Sequence, residues 1–189
     1  MRRAAALLVL LLKAAPGNVR SIAALTLALL AIASAAGAEA MPVPPKLQMA
    51  IFKRVFQYDR TLAGKGPVQV LVVHNDMPAR QLEELLATFR WAEIAAVPVH
   101  VAELAQRIRP GSVVYILPGV SPAAFMAHCA AHEALTISGL PALAQGGSVS
   151  IAIGAGGDGR PEILVHRGRL KVEKHDISAE LLKLARILQ

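Results

Sequence analysis

Residues 154–159 read Gly-Ala-Gly-Gly-Asp-Gly. This is the G-x-G-x-x-G spacing that lets a backbone approach a pyrophosphate in dinucleotide-binding folds. That chemistry also needs a helix opening directly after the last glycine, so that its N-terminus faces the phosphates. Here Arg160-Pro161 follows, and then the strand-like Ile163-Leu164-Val165, so the segment reads as a hairpin loop. His128 and His132 stand four apart in a helical pattern and share a face, a spacing that can hold a metal. The zinc-protease pattern needs a glutamate beside the first histidine, where this chain has Cys129; the pair reads as partly exposed packing positions. Ser121 follows a strand-like run, but Gly119-Val-Ser121-Pro-Ala123 lacks the second glycine of a nucleophile elbow. Helix capping accounts for this serine. Glu83 and Glu84 fall on the polar side of a helix. The reading therefore names no catalytic residue, no cofactor and no metal ligand.

A general rule of open α/β sheets directs attention elsewhere, because ligands bind beyond the carboxyl ends of the strands. Those ends carry His74-Asn75-Asp76, Pro118-Gly119-Val120-Ser121 and Ser138-Gly139. The first two lead into helix N-termini, whose free N–H groups favour anions. His74, Asn75, Asp76, Gly119 and Ser121 are the candidate ligand-binding residues, with plain loop and cap chemistry as the competing reading.

The elements that must position these residues follow from hydrophobic periodicity. Met41-Pro-Val-Pro-Pro45 is a stiff entry that no helix crosses. Leu47, Ile51, Phe52, Val55 and Phe56 form one stripe of a helix over residues 46–61. Val68–Val73 is an apolar run suited to a strand covered on both faces. Asp76 is placed to cap a helix beginning at Met77-Pro78, with Leu82, Leu85, Leu86 and Phe89 inward. Ile94–Val101 is the second strand, and Pro98 marks it as an edge or a bulge. A short helix (102–108) and a third strand (112–117) follow. A helix capped by Ser121 then runs to about Glu133, before a short strand over Leu135–Ile137. Ser148–Ile153 and Glu162–His166 are strands around the glycine loop and form an antiparallel pair. Ser178 caps a closing helix over 179–188, with Leu181, Leu182, Leu184, Ala185 and Leu188 inward. The alternation predicts a single α/β domain, a largely parallel sheet flanked by helices, with a C-terminal strand pair and closing helix.

Composition separates a leader from this domain. Arg2, Arg3, Lys13 and Arg20 precede an apolar run over Ile22–Ala33 and the small-residue exits Ala36-Gly37-Ala38 and Ala38-Glu39-Ala40. This is the pattern of a secretory signal, assigned to residues 1–38; an uncleaved inner-membrane anchor is the alternative. Residues 39–46 form a linker and 47–189 the domain, expected in the periplasm. Four of the 20 basic residues and none of the 13 acids precede residue 39, so the net charge of +7 falls to +3 without the leader. The basic residues are scattered and the few aromatics are not interleaved with them, which argues against nucleic acid as a partner. Cys129 is the only cysteine, so no internal disulfide is available; its apolar setting reads as a buried thiol.

Leu135-Thr-Ile-Ser138, Gly146-Gly147, Pro161-Glu-Ile-Leu-Val165 and Ile177-Ser178-Ala-Glu-Leu181-Leu182-Lys-Leu-Ala185-Arg186 resemble motifs of the YfiR-like family of periplasmic proteins. Tyr58-Asp-Arg-Thr-Leu62 and Val114-Tyr-Ile-Leu-Pro118-Gly119 look like its shorter branch. The resemblance covers most of residues 47–187. It implies a non-enzymatic regulator acting on a membrane protein with a periplasmic region, such as a diguanylate cyclase or a sensor, and is compatible with a homodimer. The chain departs from the pattern in having one cysteine, His166 in place of the usual asparagine, and Lys174-His175 where a glycine usually stands. Redox control and the partner-contacting residues therefore do not carry over.

Overall fold

The computed structural model describes residues 41–189, apart from 65 and 92. The assigned leader lies outside the described residues. No helix among the described residues is long and apolar enough to cross a membrane.

The described chain opens with α1 (Pro45–Tyr58), in which Pro45 occupies the first turn, where its missing N–H is not needed. There follow β1 (Val68–His74), α2 (Ala79–Ala87), β2 (Ile94–His100), a 3-10 turn leading into α3 (Leu104–Arg107), and β3 (Val113–Ile116). A second 3-10 turn precedes α4 (Met126–Ala131). Then come β4 (Leu135–Ser138), α5 (Pro141–Gln145), β5 (Ile151–Ala155), β6 (Pro161–His166), α6 (Arg167–Val172), α7 (Ala179–Leu184) and β7 (Ala185–Leu188). All strands join one sheet in the order β2-β1-β3-β4-β5-β6-β7. Strands β1 to β5 run parallel, β6 is antiparallel to β5, and β7 is parallel to β6. The predicted α/β class, parallel sheet, late strand pair and closing helix are all present.

The central strands bury both faces, as continuous apolar runs require. Val70, Val72, Val113, Tyr115, Leu135 and Ile137 face a core closed by Phe52 and Phe56 of α1, Leu85 of α2, Phe89 just after it, and Leu181 of α7. Leu71, Val73, Val114 and Ile116 face the opposite core, closed by Leu104, Phe125, Cys129 and Ala144 from the other helices and their flanks. Tyr115 anchors the first core. Its ring meets Phe52 edge-on at 6.0 Å and Phe89 at 5.3 Å, each contact contributing about 1 kcal/mol beyond burial. Its hydroxyl donates to Gln48 Oε1 at 2.7 Å, and Gln48 Nε2 donates to the Val43 carbonyl at 2.6 Å. Pro98 sits on the outermost strand β2, where a missing N–H costs no ladder bond.

Several expected boundaries differ. The closing helix ends at Leu184 rather than 188, and Ala185–Leu188 adds a seventh strand beside β6. The apolar residues there satisfy a strand edge better than a further helical turn: Leu188 packs into the second core, whereas Leu184 is 74% exposed, not inward. Helix α5 has no counterpart in the sequence reading, and β5 begins at Ile151 rather than 148. The serine-capped helix is a 3-10 turn followed by the shorter α4.

Candidate functional site

The strand order reverses between β1 and β3, the topological switch point where open α/β sheets form a crevice. The carboxyl ends of β1, β2 and β3 meet there. His74 ends β1 and lies in register with His100, which ends β2. Both sit at the same alternation parity as the residues facing α2, and their rings meet edge-on at 5.7 Å and 80°. His100 Nδ1 accepts the Ala102 N–H at 3.2 Å, which leaves the ring proton on Nε2. That nitrogen faces Asp76 Oδ1 at 3.6 Å. His74 is half-buried, and its Nδ1 is enclosed without a hydrogen-bond partner among the described residues; such an atom costs free energy until something pairs with it.

The candidate residues thus separate. Asp76 faces His100, but it does not cap α2. Its backbone takes φ +47°, Pro78 precedes the helix, and no side chain caps it. Pro78 itself stands at the N-cap, where its ring fixes φ and its side chain has no acceptor to offer. Asn75 is exposed beside Asp76. Gly119 turns the chain after β3 at φ +80°, with Val120 N–H donating to Leu117 O at 3.3 Å. Proline followed by a positive-φ glycine is the signature of a type II turn. Ser121 is exposed and makes no cap bond. His100 is the member that sequence reasoning missed. Its signal was available in register: each of the two parallel strands places a histidine at its seventh residue. Beside this cluster lies a groove of about 330 Å³ whose lining includes Met41, Met77, Leu85, Leu117 and Pro118.

The opposite end of the sheet holds the titratable groups that are fully paired. Glu173 is buried and accepts from Arg169 Nε (2.7 Å), Thr136 Oγ1 (2.7 Å), Thr136 N–H (2.9 Å) and Ser150 Oγ (2.6 Å). Arg169 also donates to the Met126 carbonyl at 2.9 Å. Nearby, His175 Nδ1 meets Asp59 Oδ2 at 2.5 Å and Nε2 meets the Glu133 carbonyl at 3.0 Å. The Glu133 carbonyl can only accept, so Nε2 carries a proton, and the Asp59 carboxylate beside Nδ1 favours a second proton there. Burial by itself pulls this imidazole's pKa down; the Asp59 carboxylate and the Glu133 carbonyl outweigh it, and the pKa ends above its ordinary value. None of these groups was singled out from the sequence, because their partners lie up to 116 residues away along the chain.

Cys129 is buried as expected, and burial, reinforced by Glu173, pushes its thiol up to about 12. His128 is exposed and His132 half-buried. Among the described residues, no group of three His, Cys, Asp or Glu side chains is arranged to hold a metal. The glycine run begins in β5 with Gly154 and Ala155, and its remainder, Gly156 to Gly159, lies in the loop to antiparallel β6, with Asp158 accepting from Arg160 N–H.

No protein-family model matches the chain, and no curated protein matches it.

Proposed function

We propose that this chain is an exported, non-catalytic regulatory module that modulates a membrane signalling protein, such as a diguanylate cyclase, from the periplasm. The observation that carries this reading is the placement of exposed apolar side chains. Of the large ones among the described residues, Val172, Leu184 and Ile187 lie in the α6–α7–β7 segment, with Leu47 elsewhere. Isolated exposed apolar residues are ordinary, but several on one segment beside a free strand edge suit a protein contact. The same segment carries the closing motif of the YfiR-like resemblance.

The test is crosslinking and affinity capture of the tagged full chain from its native host. A membrane-bound cyclase, kinase or sensor should be enriched, and Leu184→Ser with Ile187→Ser should lose it. Recovery of the same envelope proteins by both forms would sink the reading.

A second reading, a periplasmic protein binding a small molecule or anion, is favoured by the unpaired His74 Nδ1 at the switch point. A bound ligand raises thermal stability as its concentration exceeds Kd. A stabilising hit in an anion and metabolite panel should disappear in His74→Ala; a flat panel counts against the reading.

A further inference from the structure

A second cavity lies at the other end of the sheet from His74. Strand β6 runs antiparallel to β5, so α6, which follows it, sits at the amino ends of the parallel strands. Between α6 and α7 opens a cleft of about 530 Å³, within the range of small-molecule sites. Its apolar lining comes from Leu170, Ile177 and Leu182, of which Leu170 and Ile177 are almost wholly buried. Arg167 and Lys171 also line it. They stand four apart on one helical face, are exposed, and make no side-chain ion pair or side-chain hydrogen bond with any of the described residues. His175 and Asp176 also line the cleft but are already engaged, His175 with Asp59 and Asp176 with Arg60 at 3.1 Å, and the nearby Lys174 pairs with Glu133 at 2.6 Å. The cleft therefore presents two uncompensated cations beside an apolar lining.

We infer that the α6–α7 cleft binds a small amphiphilic anion, a molecule with an apolar body and one carboxylate or phosphate head. Arg167 and Lys171 hold the head, and Leu170, Ile177 and Leu182 receive the body. Neither half suffices. A bare anion gains only surface ion pairing, which is weak in water, and a neutral apolar molecule leaves the two cations unmatched. This inference is independent of the regulatory reading and of the site at His74.

The test is calorimetric titration of the full chain with octanoate, octyl phosphate, octanol and inorganic phosphate. One or both of the amphiphilic anions should bind saturably, and octanol and phosphate distinctly more weakly; the tighter of the two names the head. Arg167→Glu with Lys171→Glu should weaken the better ligand about tenfold without lowering the melting temperature, since both side chains are exposed. His74→Ala should leave that binding unchanged. The inference is overturned if neither anion binds, if octanol or phosphate alone binds as well, or if the charge-reversed protein binds equally.

Discussion

Asp59 and His175 form an ion pair whose side chains are wholly buried, and the surroundings favour the imidazolium, because Nε2 faces a carbonyl and Nδ1 a carboxylate. Replacing His175 with alanine leaves the Asp59 carboxylate buried without its cation, a change that costs about 3–5 kcal/mol. The pH dependence has a definite sign. The folded-state pKa of His175 lies above its ordinary 6.5, so the folded state holds the proton more tightly than the unfolded chain. Its contribution is complete below about pH 6.5 and fades as the pH rises through the folded value. Denaturant titrations should therefore show the gap between wild type and His175→Ala narrowing towards alkaline pH; a gap that widens would contradict the imidazolium. Cys129 gives a second check at this scale. With its thiol held up to about 12, the thiolate is scarce at pH 8. A thiol reagent should label the native protein far more slowly than the denaturant-unfolded protein.

At the scale of elements, single residues decide how helices seat on the sheet. Glu173 on the turn after α6 ties that helix to β4 through Thr136 and to the start of β5 through Ser150. Glu173→Ala removes the acceptor from four donors and leaves Arg169 buried and unpaired, so a loss of about 3–5 kcal/mol is expected in urea unfolding. Gly139 plays the matching part for α1. A Cβ there would overlap the Gln48 side chain, which is fixed between Tyr115 and Val43. Gly139→Ala should cost about 1–3 kcal/mol by overpacking, and Gln48→Ala in the same chain should recover part of that loss. Ser178, whose hydroxyl accepts the Leu181 N–H at 3.5 Å, should cost about 1 kcal/mol on replacement by alanine.

At the scale of the whole molecule, the two ends of the sheet have different characters. The carboxyl ends of β1 to β3 leave a histidine nitrogen unpaired beside an open groove. The amino ends are sealed by two buried ion pairs, with a cation-lined cleft outside the seal. The sealed end fixes α1, α6 and α7 to one another, so the exposed Val172, Leu184 and Ile187 project from a rigid base. Capture of a membrane partner that depends on Leu184 and Ile187 belongs to this scale.

Much of the fold was legible in residue order. Continuous apolar runs at 68–73 and 112–117 required strands covered on both sides, and the helical stripe of Leu47, Ile51, Phe52, Val55 and Phe56 required a helix facing them. Pro98 marked its strand as an edge or a bulge, because a proline cannot complete an inner ladder, and the strand order makes it an edge. The strand-end rule put His74 and Asp76 at the carboxyl end of a strand, whereas the switch point there and the neighbour His100 follow from the strand order. Local pattern could not separate the end of α7 from β7, since Leu-Ala-Arg-Ile-Leu satisfies either period. Nor could it pair Asp59 with His175 or Glu173 with Thr136 and Ser150, because these contacts join residues remote in the chain and carry no spacing signal. Sequence determined where apolar surface had to be buried; only the tertiary structure decided which polar groups went into that interior together, since a buried charge is placed by the partner that the fold brings to it.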